Sequence, residues 1–259
     1  MRRGFTLAEI GVTTAIFSLF LILFIVVMRS SSQLSQGISS EQDNVFALQK
    51  ARGSVESDLR ETSFSQLKTK VVTKLGQDIP AVWFLSAYDQ VDGRFRTQDD
   101  GTPQWNTNIL YYLAAPKKHD QLFGQTCDGY DARCPHKFLV RRVIRKRPWE
   151  EAPDLPRPEE KLVPDANIDH WVVVPEDYSL GFPELGTAPA YVMESRLVAS
   201  GLLTFEVHLG PDPTWPNEVE VVCSAFSKEK AGQGVAVGSV SLIDSEWTDH
   251  LVFSVFPVH

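Results

Sequence analysis

Signatures of catalysis are missing from this chain. There is no G-x-S-x-G nucleophile turn, no H-E-x-x-H helix, no P-loop and no glycine-rich dinucleotide turn. The six histidines are scattered, and none stands at a recognised spacing from a serine or cysteine nucleophile. The carboxylate pairs Glu150-Glu151 and Glu159-Glu160 fall in a proline-rich stretch where no rigid acid–base geometry is expected. The sequence therefore reads as a non-enzyme. An excess of basic charge is missing as well: the balance is mildly acidic, with a net charge of −8, so bulk charge marks no nucleic-acid surface. One basic cluster stands out, Arg141, Arg142, Arg145, Lys146 and Arg147 around Val143 and Ile144. It reads as a solvated strand end, and it is the one place to look for contact with DNA. Three cysteines are too few for a disulfide-dense scaffold and allow one bridge with a thiol left over. Proline is absent from Arg29 to Leu67, which leaves a long stretch free to be helical.

What is present begins at the N-terminus. Arg2, Arg3 and Gly4 precede an apolar run from Phe5 to Met28, and Arg29 closes it. At about 1.5 Å per helical residue the run is long enough to cross a hydrocarbon core of about 30 Å. It contains a single carboxylate, Glu9. A charge inside such a segment is costly and normally has a partner. The arginines before the run place the short N-terminus in the cytoplasm and the remainder outside it. A secretory signal peptide fits less well, because its apolar core is shorter, about 7–15 residues.

The segment Gly4-Phe5-Thr6-Leu7-Ala8-Glu9 resembles the cleavage and methylation site of type IV prepilins and type II secretion pseudopilins. The resemblance implies cleavage between Gly4 and Phe5 by a prepilin peptidase and N-methylation of Phe5. It also implies that Glu9 neutralises the terminal amine of a neighbouring subunit, with Arg2 and Arg3 as the basic residues of the leader. Such pairing is physically sound, since an ammonium and a carboxylate sharing a low-dielectric site relieve each other's desolvation. Two further stretches, Phe46 to Arg52 and the pair Gly201 to Leu209 with Trp215 to Val222, are similar to J-type minor pseudopilins and W-type minor pilins. The implied partners are the peptidase, other minor and major pilins or pseudopilins, and an inner-membrane assembly platform. The implied location is the bacterial inner membrane, with a single pass and an exported head, and then the filament.

Along the chain this predicts a leader at 1–4, a transmembrane or filament-core helix at 5–28 and an outer amphipathic helix at 29–67. A β-rich head follows at 68–259, with a proline-rich insertion near 148–164. In the outer helix, Val45, Leu48, Arg52, Val55 and Leu59 form a stripe at spacings of three and four. Strand-like runs follow at 81–87, 108–113, 138–144, 170–174, 191–198, 201–209, 215–223 and 251–256, with Asp92-Gly93 and Asp100-Gly101 as turn signals. Five prolines amid acidic residues make 148–164 an exposed, poorly structured insertion. The expected fold class is α+β, pilin-like: a long N-terminal membrane-spanning helix packed on a mainly antiparallel β head.

Cys127 and Cys134 flank a loop containing Gly129, and in an exported domain the first reading is a disulfide. The alternative is a metal site with His119 and His136, but the order His-x7-Cys-x6-Cys-x-His matches none of the familiar zinc spacings. Asp89, Asp92, Asp99 and Asp100 could gather oxygens for calcium, yet they lack the EF-hand pattern and read as turn carboxylates. No metal or other cofactor is assigned. Cys223 reads as a small buried hydrophobe. The resulting expectation is a minor pilin or pseudopilin that primes or caps a filament. A membrane-tethered binding module presenting the Cys127–Cys134 loop or the basic strand is the alternative.

Overall fold

The computed structural model describes residues 7–89, 93–123, 134–145, 159–176, 191–226, 242–245 and 248–258. Helix α1 runs Leu7–Arg60. Strands β1 (Leu67–Lys74), β2 (Gln77–Ser86), β5 (Thr107–Ala114), β6 (Lys137–Ile144), β7 (Val192–Leu209), β8 (Val219–Phe226) and β9 (Thr248–Val255) form one sheet. Their spatial order is β1-β2-β5-β6-β7-β8-β9, antiparallel throughout. A small ribbon of β3 (Tyr88–Asp89) and β4 (Arg94–Phe95) lies outside it. Register shifts between β6 and β7, and between β7 and β8, bend the sheet into a curled half-barrel.

This corrects the expected fold class. The body is mainly antiparallel sheet, and its other helices, α2 (His119–Phe123) and α3 (Ile168–Trp171), are short. Among the described residues no helix is long and apolar enough to cross a membrane. Glu9, Gly11, Thr13, Thr14 and Ser18 interrupt the apolar run, and Arg29-Ser30-Ser31-Ser32-Gln33 follows it. The Ser18 hydroxyl donates back to the Thr14 carbonyl at 2.8 Å, so this polar group is satisfied within the helix.

The central strands β5 and β6 are buried on both faces, which explains why they read as unbroken apolar runs rather than alternating ones. On one face Val82, Phe84, Ile109, Tyr111, Leu113 and Leu139 meet Leu48, Ala51, Val55 and Leu59 of α1. The helix stripe is therefore Leu48-Ala51-Val55-Leu59, whereas Val45 and Arg52 are exposed. Arg52 pairs instead with Glu56 at 2.9 Å. On the other face Trp83, Leu110, Tyr112, Phe138 and Val140 are covered by Val163, Ile168, Trp171, Val172 and Val174. Residues 160–174 were expected to supply part of an exposed insertion and a strand. They form this cover instead, and Glu160 and Val163 are buried. Main-chain groups hold it down: Trp83 Nε1 donates to the Val163 carbonyl at 2.9 Å, and Tyr112 Oη to the Val173 carbonyl at 2.7 Å. Its peptide groups find side-chain partners on the sheet, so it needs no ladder of its own.

Two boundaries also moved. The outer helix was expected to reach Leu67, but α1 stops at Arg60 and Leu67 opens β1. The run Thr69-Lys70-Val71-Val72-Thr73 favours an edge strand. It turns back through Leu75 (φ 54°) and Gly76 (φ 74°), both left-handed as a two-residue hairpin requires. Pro80 lies inside β2, opposite Val71, at a point where β5 has not yet begun to pair. A residue without an N–H is tolerated there. Finally, the expected separate strands at 191–198 and 201–209 are one strand, β7, passing through Gly201 (φ 78°).

Candidate functional site

The N-terminal part of α1 is set apart by what it exposes. Gly11, Thr14 and every residue from Ile16 to Arg29 are solvent-facing, among them Phe17, Leu19, Phe20, Leu23, Phe24 and Met28. The part of the same helix that enters the core begins at Ala47 and Leu48. One helix thus carries an uncovered apolar segment and, farther along, a docked one. Glu9 lies in the first turn of α1. Arg2, Arg3, Gly4 and Phe5 lie outside the described residues.

The docked end is clamped by a buried charge cluster. Arg141, on the middle strand β6, donates from Nε to Asp58 Oδ2 at 2.6 Å and from Nη2 to Asp58 Oδ1 at 3.3 Å. Its Nη1 donates to Glu194 Oε2 on β7 at 2.9 Å. The Tyr111 hydroxyl adds a 2.6 Å bond to Asp58 Oδ2. Only 4 % of the Arg141 side chain and 15 % of Asp58 are exposed. Burial alone would lower the Arg141 pKa, but the Asp58 hydrogen bonds and charge outweigh it and hold the guanidinium above its ordinary value. Burial, reinforced by the Asp58 carboxylate, pushes the Tyr111 phenol well up. Arg142, the next residue, points to the opposite face and donates to the Trp171 carbonyl at 2.8 Å and to Ser195 Oγ at 2.8 Å.

These two arginines correct the reading of a solvated basic strand end: each is 3 % exposed and ties one covering layer to the sheet. Lys146 and Arg147 lie outside the described residues. Among the described residues, the aspartates of the 89–100 region form no group able to hold a metal ion. Asp89 is buried and pairs with Arg96 at 3.1 Å, and Asp100 accepts from the Thr102 amide at 2.9 Å in a turn. Asp92 lies outside the described residues. Cys223 is buried, as its pattern suggested, and desolvation pushes its thiol up to about 12.

A second constellation joins residues that sequence spacing had set aside. His119, at the start of α2, and Cys134 and His136, just before β6, come together at one end of the sheet. His119 Nε2 stands 3.4 Å from Cys134 Sγ and 3.1 Å from His136 Nδ1. His119 Nδ1 donates to Asp120 Oδ1 at 3.1 Å. His119 and Cys134 are fully buried and His136 is half-buried. Among the described residues this is the group of histidine, cysteine and carboxylate side chains able to hold a metal ion. The clue in the sequence was the pair His119 and His136 beside Cys134. A spacing template could not reveal that the chain closes on itself there. Cys127, the other half of the expected disulfide, lies outside the described residues. No family model, curated protein or solved structure matches the chain.

Proposed function

We propose that this chain is a structural subunit of a pilin-like filament, a minor pilin or pseudopilin that primes or caps a type IV pilus or a type II secretion pseudopilus. The observation that carries the reading is the uncovered apolar surface of α1 from Ile16 to Met28, on a helix whose distal part is docked to a folded head. Isolated apolar residues on a surface are ordinary, but a contiguous apolar segment of this length calls for a partner surface. Helices of neighbouring subunits are partners of matching shape and chemistry. The resemblance of Gly4 to Glu9 to the prepilin processing site supports the same reading.

In this mechanism a prepilin peptidase cuts after Gly4, and the methylated Phe5 amine is the new terminus. Glu9 pairs with the terminal amine of an adjacent subunit while the apolar helices pack together, so that charge sets the register and burial supplies the driving force. Other pilins or pseudopilins and an assembly platform are the partners, and the head stands on the exported side. Mass spectrometry of the mature N-terminus with and without prepilin peptidase tests the processing. The expected product begins at methylated Phe5 only when the peptidase is active; a chain beginning at Met1 in both cases refutes the reading. Glu9→Leu, which keeps the helix apolar, is expected to abolish co-assembly with partner subunits, and normal incorporation of that variant would refute the pairing.

A further inference from the structure

The fold gathers three metal-ligating side chains that stand 15 and 17 residues apart in the sequence. We propose that His119, Cys134 and His136 bind one divalent cation of the zinc class. The site is independent of the filament reading: it lies in the head, on the connection between β5 and β6.

The geometry is close to what such an ion requires. With Zn–N of about 2.0–2.1 Å and Zn–S of about 2.3 Å, a tetrahedral ion separates two nitrogens by about 3.3 Å, and a nitrogen from a sulfur by about 3.6 Å. The observed separations from His119 Nε2 are 3.1 Å to His136 Nδ1 and 3.4 Å to Cys134 Sγ. One ligand atom from each of the three residues lies within 4.8 Å of the other two. Shifts of a few tenths of an ångström bring the two separations from His119 Nε2 to these values. The donors select its class. Two imidazoles and a thiolate suit zinc, whereas calcium and magnesium require oxygen ligands.

The surroundings orient the ligands. Asp120 accepts from His119 Nδ1, which leaves the Nε2 lone pair directed at Cys134 and His136. A carboxylate behind a ligating histidine is a recurrent device for fixing its tautomer and raising its basicity. Behind Cys134, Ala115 forms the other half of a small buried cluster. Gln77 donates to the Ala115 carbonyl at 3.0 Å and accepts from its amide at 2.9 Å, so the end of β5 is fixed against the start of β2. The ion therefore joins the beginning and the end of one connection and ties both to the sheet. A disulfide between Cys127 and Cys134 would consume the same sulfur, so the two states exclude each other.

The test is a Co2+ titration of the purified full-length chain under reducing conditions, followed by visible and near-ultraviolet absorption. The expected result is a thiolate-to-cobalt charge-transfer band with four-coordinate d–d bands, saturating at one Co2+ per chain and abolished by one equivalent of Zn2+. Cys134→Ser should remove the band. Asp120→Asn, at a half-exposed position, should keep the fold by circular dichroism and weaken Co2+ binding by about 10- to 100-fold. Absence of the band at one equivalent in the reduced wild-type chain overturns the proposal, as does a band that survives Cys134→Ser. Finding Cys134 disulfide-bonded to Cys127 in the non-reduced protein isolated from its native compartment overturns it equally.

Discussion

Replacing Asp58 by alanine tests what holds the helix to the sheet. In the native chain the Asp58 carboxylate accepts two hydrogen bonds from Arg141 and one from Tyr111. Its removal leaves a guanidinium that is 4 % exposed with Glu194 as its remaining carboxylate partner. Breaking a buried ion pair by deleting one partner costs about 3–5 kcal/mol. Asp58 retains some exposure, and Glu194 still compensates Arg141. The lower end of that range therefore applies, about 3 kcal/mol. With an m-value of about 2 kcal/mol/M, the urea midpoint should fall by about 1.5 M at unchanged m. Arg141→Met alone should cost a similar amount. The double variant should be markedly less unstable than the sum, with a coupling of at least about 1.5 kcal/mol, because removing both charges leaves none buried and unpaired. Urea unfolding of the four proteins, followed by tryptophan fluorescence, provides the cycle. A midpoint shift below about 0.3 M for Asp58→Ala, or additive single effects, would refute the clamp.

Two further perturbations address the layers on either side of the sheet. Leu59 is fully buried between α1 and the sheet, so Leu59→Ala should destabilise by about 3–5 kcal/mol, whereas truncating exposed Val45 should change stability by less than about 0.5 kcal/mol. Equal effects at the two positions in denaturant titrations would contradict the docked stripe. On the opposite face, burial raises the Tyr112 hydroxyl from 10 to about 12. Because the folded pKa exceeds the unfolded one, this residue's contribution is complete below pH 10 and is lost as pH rises toward 12. The loss should reach about 3 kcal/mol. Unfolding midpoints measured from pH 9 to 12 should fall less steeply for Tyr112→Phe than for the native chain; identical slopes would exclude the effect.

Several features of the fold were legible because they depend on local pattern. The runs at 81–87, 108–113 and 138–144 became β2, β5 and β6, since β-branched and aromatic residues between turn signals have few other solutions. Others depend on tertiary partners. Val172-Val173-Val174 looks like a strand, yet these residues lie over the sheet and receive their polar partners from Tyr112 and Lys74. A short apolar run carries no sign that distinguishes these outcomes. Strand β1 was hidden by its lysines, Lys68, Lys70 and Lys74, which belong to an edge and reach Asp165, Asp169 and the Val172 carbonyl across the cover. Arg141 and Arg142 resembled a surface cluster, because nothing in their vicinity announces Asp58 and Trp171, 83 and 29 residues away. The membrane-spanning part of the expected fold rested on the apolar run from Phe5 to Met28, whereas among the described residues no helix is long and apolar enough to cross a membrane. In the His119 site the donors were visible but their convergence was not, since it comes from the closing of the β5–β6 connection rather than from a fixed motif.

The position of the Asp58 clamp has a mechanical meaning. By covalent connection, α1 leads into β1, the outermost strand of the sheet, whose rungs to β2 would open one after another under tension. Asp58 lies ahead of that strand and is bonded to Arg141 on β6, which has three strands on either side. Force travelling down α1 is thus diverted into the centre of the sheet before it reaches the edge. There, two ladders of backbone bonds share it in parallel. A head pulled by its helix resists as a plate gripped at the middle, and the seam most easily unzipped carries load only after the clamp has failed.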